Sequence, residues 1–174
     1  MKAITIWQPY ASLIGCNAKR FETRGWATKY RGPIAIHAAQ RDPCRLPLID
    51  KPELERYTRQ EIDAGRCPPW PLMPRGAIIA TAELVNVWRI VQHPGTDVVV
   101  AKHIQIGAES LTLDKHAPDF GAFFVPTEQE MAFGDWTPGR YAWELRNVKL
   151  LTHPVPVKGQ QGLWNWDPEK EATT

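Results

Sequence analysis

The fold turns on Gly76-Ala77-Ile78-Ile79-Ala80-Thr81-Ala82-Glu83-Leu84-Val85-Asn86-Val87-Trp88. Apolar and β-branched residues dominate this stretch and a turn-forming glycine opens it, so it reads as a strand. Side chains alternate across a strand. Ile79, Thr81, Glu83, Val85 and Val87 therefore share one face, and Ala80, Ala82 and Leu84 the other. Glu83 stands in the middle. If its face is the core, the carboxylate needs a cationic partner, Lys19 or an arginine; if the face is solvated, Glu83 is ordinary surface.

Working outward, Arg140–Leu150 reads as a second long strand with Tyr141, Trp143 and Leu145 on one face. Shorter strands are expected at 3–7, 33–38 and 97–106, and an edge strand at 155–157, where Pro154 and Pro156 suit an edge. Pro9 opens a short helix carrying Tyr10, Leu13 and Ile14. A Pro-rich insertion at 42–74 holds one helix, capped by Asp50 with Glu53, carrying Leu54, Tyr57 and Ile62, and closed by Gly65. The stretch 107–139 reads as irregular apart from a short helix capped by Thr127 with Glu130 and ending at Gly134. From 167 onward the tail looks frayed. Many short strands without strand–helix alternation favour a small mixed or closed β-barrel over a doubly wound sheet.

The 174 residues carry a net charge of only +2, but its distribution is uneven. Residues 15–45 hold seven cationic against two acidic side chains, a local +5 against −3 elsewhere. Such a block suits phosphate binding, although a solvated surface has the same composition. No run approaches about 20 apolar residues, so no membrane span is expected. The N-terminus lacks the marks of a signal peptide. Three separated cysteines (16, 44 and 67) fit a reducing cytoplasm, and neither they nor the five scattered histidines suggest a metal site. No phosphate loop, nucleophile elbow or zinc-protease motif is present, and no cofactor is expected.

One segment concentrates chemistry: Ala18-Lys19-Arg20-Phe21-Glu22-Thr23-Arg24-Gly25-Trp26. In extended backbone Glu22 and Arg24 point the same way. A lysine beside a carboxylate can hold an anion, orient a base edge or move protons; the ordinary alternative is a surface ion-pair cluster. Lys-x-x-Glu-x-Arg after a short helix resembles the signature of the ASCH family. Three further pieces resemble that family in the same order. They are Ile6-Trp7-Gln8-Pro9-Tyr10, the run from Tyr30 to Ala39, and Gly139-Arg140-Tyr141-Ala142-Trp143-Glu144-Leu145 followed by 156–166. The resemblance spans roughly residues 3–166. The family pattern usually has Gly two residues before the Lys; here Asn17 stands there, a residue that tolerates left-handed backbone.

The resemblance implies an α+β, mainly β fold: a PUA-like small β-barrel with a few peripheral helices. It would form one domain over 1–166, with the helical insertion at 42–74 and a tail at 167–174. Relatives are regarded as RNA-binding modules. One branch hydrolyses N4-acylated cytidine nucleosides with a Lys, a Thr three residues later and a distant Glu. Another has been described as metal-dependent and ribonuclease-like. Lys19 matches the Lys, but Glu22 stands where that Thr would be, so the Lys position and the pocket carry over and the amidohydrolase mechanism does not. Glu83 and Glu109 are candidates for the distant carboxylate.

The catalytic candidates are thus Lys19, Glu22 and Glu83. Glu22 would accept a base N–H or activate water, and Lys19 would stabilise negative charge. The candidate ligand contacts are Trp7, Gln8, Lys19, Glu22, Arg24, Trp26 and His37. Trp7 and Trp26, of eight tryptophans, are stacking candidates, as single-stranded RNA recognition requires. Gln8 reads a base edge or caps the Pro9 helix. His37 is a hydrogen-bonded structural residue or a proton-transfer group. Three functions remain open: a module binding RNA or a modified nucleoside, a hydrolase of either, and a protein-interaction scaffold using the 42–74 insertion.

Overall fold

The computed structural model describes residues 1–41, 51–93, 98–103 and 123–171. In chain order the elements are β1 (Lys2–Ile6), α1 (Tyr10–Gly15), β2 (Phe21–Arg24), β3 (Gly32–Ala38), α2 (Pro52–Asp63), a 3₁₀ turn (Trp70–Leu72), β4 (Ala77–Gln92), β5 (Val99–His103), β6 (Phe123–Phe124), α3 (Glu128–Ala132), β7 (Tyr141–Pro156), β8 (Leu163–Asn165) and α4 (Pro168–Glu171). The fold is mainly β. The strands join in the order β2-β7-β4-β3-β1-β8, with β5 on β4 and β6 on β5. β1 and β3 run parallel; the other pairs are antiparallel.

Among the described residues no ladder joins β2 to β8, and the sheet runs as an open path. It also curves. Register shifts at Ile78/Ala80, Thr81/Glu83 and Leu84/Asn86 bend β4 against β7, as bulges do. They also change which face is inside. Ala80, Ala82 and Leu84 are buried as one face, but after the last shift Val87 and Ile90 are buried too. Strict alternation groups Val87 with Glu83. Glu83 itself is exposed, pairs with Arg146 and Pro33 across the ladders, and accepts a hydrogen bond from Asn147 Nδ2 at 2.8 Å. It is not the partner of Lys19.

Other expectations shift for comparable reasons. Residues 155–156 continue β7 instead of forming a separate edge. Leu163–Asn165 adds a strand to β1, and the tail has a helical turn at Pro168–Glu171. The centre of the strand expected at 97–106 is β5; its ends, at 97 and 104–106, lie outside the described residues, as do Asp50 and Glu109. Glu53 pairs with Arg56 at 2.5 Å. Thr127 does cap α3, accepting from Glu130 N at 3.2 Å.

α1 explains how α2 and the segment after it pack onto the sheet. Its residues 11–15 are all buried. Ala11 and Ile14 join the sheet core with Ile4, Ile34, Ile36, Leu84 and Trp143. Leu13 points the other way, into a second cluster with Leu54, Cys67, Met73 and Phe133. A helix with two apolar faces is expected when it is sandwiched between layers. Truncating Leu13 to Ala would leave a cavity at that junction, a change that costs about 2–5 kcal/mol in other cores. Among the described residues no helix is long and apolar enough to cross a membrane.

Candidate functional site

The site begins where α1 ends. Asn17 adopts φ 62°, and the amides of Ala18 and Lys19 both donate to Leu13 O, at 2.9 and 3.0 Å. This left-handed turn closes the helix, as a C-terminal Gly would, and sends the Lys19 side chain into the protein. Lys19 is 1% exposed. Its Nζ donates to Phe21 O and to Phe133 O at 2.6 Å, lies 3.7 Å from Glu22 Oε2 and sits 5.7 Å from the centre of the Tyr10 ring. An ammonium has three N–H donors; the two carbonyls engage two of them, and Glu22 faces the charge at ion-pair distance. Burial pushes the Lys19 pKa below its ordinary value, with Glu22 and Glu130 opposing.

β2 then alternates. Phe21 packs with Ile90, Trp136 and Ala142, while Glu22 and Arg24 turn to the opposite face. Glu22 Oε1 lies 3.0 Å from Arg24 Nε, and Arg24 Nη2 donates to Thr5 O at 2.9 Å. Lys19, Glu22 and Arg24 thus form one chain of charges running from the interior to the end of β1. A second carboxylate braces it from behind. Glu130 of α3 accepts from Arg20 N at 2.6 Å and from Phe21 N at 3.4 Å. Burial raises its pKa against the pull of Lys19 and these amides.

Glu22 and Arg24 open into a cleft of about 510 Å³. Thr5, Ile6 and Trp7 line it from the β1 end, Tyr10 from α1, Thr23 from β2, Arg41, Lys51 and Leu54 from the far side, and Phe133, Gly134, Asp135 and Arg140 from the segment before β7. Trp7 is 49% exposed, and the Arg41 guanidinium lies 4.5 Å from its ring centre. Lys51 Nζ donates to the Tyr10 hydroxyl at 3.3 Å. Arg140 pairs with Asp135 at 3.2 Å. Hydrogen bonds from Thr137 hold the Asp135 carboxyl below the ordinary range despite partial burial, helped by Arg140 and Lys51. Gly134 permits a close approach here: a Cβ would come within 2.7 Å of Trp136 Nε1 and 2.9 Å of Thr23 Cγ2.

The sequence-derived candidates separate accordingly. Trp7, Glu22 and Arg24 line the cleft; Lys19 stands behind it and orients Glu22. Gln8 is 1% exposed, accepting from Ser12 N at 3.0 Å and donating to Pro74 O at 2.7 Å. It therefore caps the helix. Trp26 packs edge-on against Trp143, with ring centres 4.6 Å apart, outside the cleft lining. His37 is buried on β3, its Nε2 2.9 Å from Val157 O and its ring edge-on to Trp164. Burial lowers its pKa, and it does not reach the cleft. Glu83 does not either.

Sequence reasoning does not single out Arg41, Lys51, Asp135, Arg140 or Glu130 as site residues. Arg41 is visible there only as part of the basic block, Arg140 within a motif, and Glu130 as a capping residue. Among the described residues, no three His, Cys, Asp or Glu side chains converge as metal ligands. The arrangement presents an anchored carboxylate, an exposed indole face and several cations to one cavity. That combination can accept N–H donors, stack a ring and attract phosphate.

No curated protein matches the chain. The family model for the ASCH domain matches residues 4–149, which takes in the signature segment, the cleft, β4 and the first part of β7. The chain belongs to the ASCH domain family.

Proposed function

We propose that the cleft binds a nucleotide unit, as part of single-stranded RNA or as a modified nucleoside. The observation that carries this reading is the pairing of half-exposed Trp7, backed by Arg41 at 4.5 Å, with Glu22 in the same cavity. A base stacks on an aromatic face whatever its identity. A carboxylate then selects bases that offer N–H donors, as Glu and Asp do with the cytosine amino group. Among the described residues neither Arg41 nor Lys51 has a carboxylate within salt-bridge distance, which favours their use on phosphate. RNA binding is also what resemblance to ASCH relatives suggests. The PUA-like barrel belongs to the same proposal; side chains from β1, β3, β4 and β7 converging on one core support it.

Binding is favoured over hydrolysis because the Lys19 ammonium is committed to two main-chain carbonyls and Glu22. Lys19 acts on the ligand through the carboxylate it orients. The test is fluorescence anisotropy with a labelled single-stranded RNA at low and moderate salt. Affinity should fall with salt, and Glu22→Gln and Arg41→Glu should each weaken it. Unchanged affinity in both variants would overturn the reading.

A further inference from the structure

The second cluster, on the side of α1 away from the sheet, holds two cysteines that the cleft does not use. Cys16 caps the C-terminal end of α1 and Cys67 follows α2, its amide donating to Glu61 O at 3.1 Å. Both pack in the cluster of Leu13, Leu54, Met73 and Phe133. Both are free thiols; Cys67 is buried and Cys16 only partly so. Cys16 Sγ donates to Leu13 O at 3.5 Å, within the cluster that Cys67 shares, and the two thiols shift each other's pKa in opposite directions. Cys16 also lines an open cavity of about 410 Å³ beside Asn17, Glu61, Arg66 and Gln129, which gives small molecules a route to it.

We propose that Cys16 and Cys67 form an oxidation site, in which a small hydroperoxide converts the paired thiols to a disulfide joining the end of α1 to the segment after α2. Cys16 is the attacking sulfur, being the one that faces the cavity. The neighbouring Cys67 thiol, then amide contacts at Ala18 and its own backbone, lower its pKa to about 7 against the opposing effects of burial and Glu61. The same partnership and burial push Cys67 above the ordinary thiol range, so it stays protonated until the second step. The Cys16 thiolate attacks a peroxide oxygen, the O–O bond breaks, and hydroxide leaves and is protonated to water. Cys16 is then a sulfenic acid. The Cys67 sulfur attacks it, the S–O bond breaks, and the Cys67 proton leaves with hydroxide as a second water. Two thiols have lost two hydrogens and one hydrogen peroxide has been reduced.

The lowered pKa puts more of Cys16 in the reactive thiolate form, and the lower intrinsic nucleophilicity of a more acidic thiolate offsets only part of that gain.

The test uses the full chain with Cys44→Ser, so that two thiols remain. A slight excess of hydrogen peroxide should remove the mass of two hydrogens, and a non-reducing peptide map should join the Cys16 and Cys67 peptides, reversibly with dithiothreitol. In the same chain, Cys67→Ala should stop at a Cys16 sulfenic acid trapped by dimedone, and iodoacetamide should alkylate Cys16 more slowly at pH 7. Disulfide-linked dimers, or direct passage of Cys16 to sulfinic acid with Cys67 untouched, would overturn the proposal. Should Cys67→Ala fail to fold, the mass and peptide map of the parent chain decide alone. RNA affinity enters neither readout, so failure here is separate from failure of the cleft reading.

Discussion

Two carboxylates occupy adjacent rungs of the β2–β7 ladder, and they are used in opposite ways. Glu144 lies opposite Phe21, and Glu22 opposite Trp143, so the two project from opposite faces. Glu144 is 2% exposed and saturated. It accepts from Arg20 Nη2, from Trp88 Nε1 at 2.9 Å and from Arg146 Nε at 2.8 Å. Burial alone would raise its pKa, but these three donors together hold it below the ordinary range. Glu22 has cations on two sides and a cleft on the third. A carboxylate offers about four acceptor sites. Glu144 commits them to its own fold, while Glu22 retains capacity for a ligand. The difference separates a charge committed to the fold from one that, in the function proposed above, meets the ligand.

The largest effect should come from removing the ion that supports the open carboxylate. Lys19→Met strips two buried carbonyls of their donor and takes the interior counter-ion from Glu22. Breaking a buried pair from one side costs about 3–5 kcal/mol, so urea denaturation should show a loss of that size. A loss below about 1 kcal/mol would mean that Lys19 is not the structural anchor of the site.

The second test exchanges the two carboxylates. Glu144→Ala leaves the Trp88 N–H and the two guanidinium groups without their acceptor, which should cost about 2–3 kcal/mol while RNA affinity holds. Glu22→Gln should weaken binding about 10- to 100-fold, the size expected of a charge-assisted hydrogen bond, and should also lower stability, because it leaves the buried Lys19 ammonium without its carboxylate. If Glu144→Ala impairs binding as much as Glu22→Gln, the division between them fails.

Acid titration sharpens the same contrast. The folded Glu144 carboxyl titrates below its unfolded value, so its contribution to stability is present above the unfolded pKa of 4.5 and is lost as pH falls through the lower folded value. Stability of the parent chain should therefore decline below about pH 5. Glu144→Gln should start lower and decline less steeply, a comparison readable from melting temperatures between about pH 3 and 7.

How much of this was legible in the sequence follows from the range over which each signal acts. Strand alternation and helix spacing are local, so β4, β7, α1 and the left-handed role of Asn17 could be read directly. The register shifts in β4 are set by pairing with β7, and Val87 accordingly lies in the core although its alternation puts it with Glu83. Lys19 was recognisable as important, but its burial behind Glu22 depends on Phe133, far along the chain. Gln8 and His37 are common polar residue types beside apolar strands, and only their partners, Pro74 and Val157, show them to be structural. Arg140 and Asp135 reach the cleft because β2 pairs with β7, a long-range pairing that no local pattern encodes.

The smallest effect concerns the cleft rim. Arg41 lies over Trp7 on the exposed side, and an exposed cation–π interaction is worth about 0.5–1 kcal/mol. Arg41→Ala should therefore leave folding nearly unchanged. Its effect on RNA affinity should be about two- to fivefold at moderate salt, the same free energy expressed as a ratio. The slope of log affinity against log salt should also become shallower by about 0.7, the value for one phosphate no longer neutralised on a single strand. Arg41→Lys restores the charge without the planar stack, so it should recover the slope but only part of the affinity. Recovery of both would assign Arg41 to phosphate alone, with Trp7 free to stack; recovery of neither would place the guanidinium–indole pair itself at the centre of recognition.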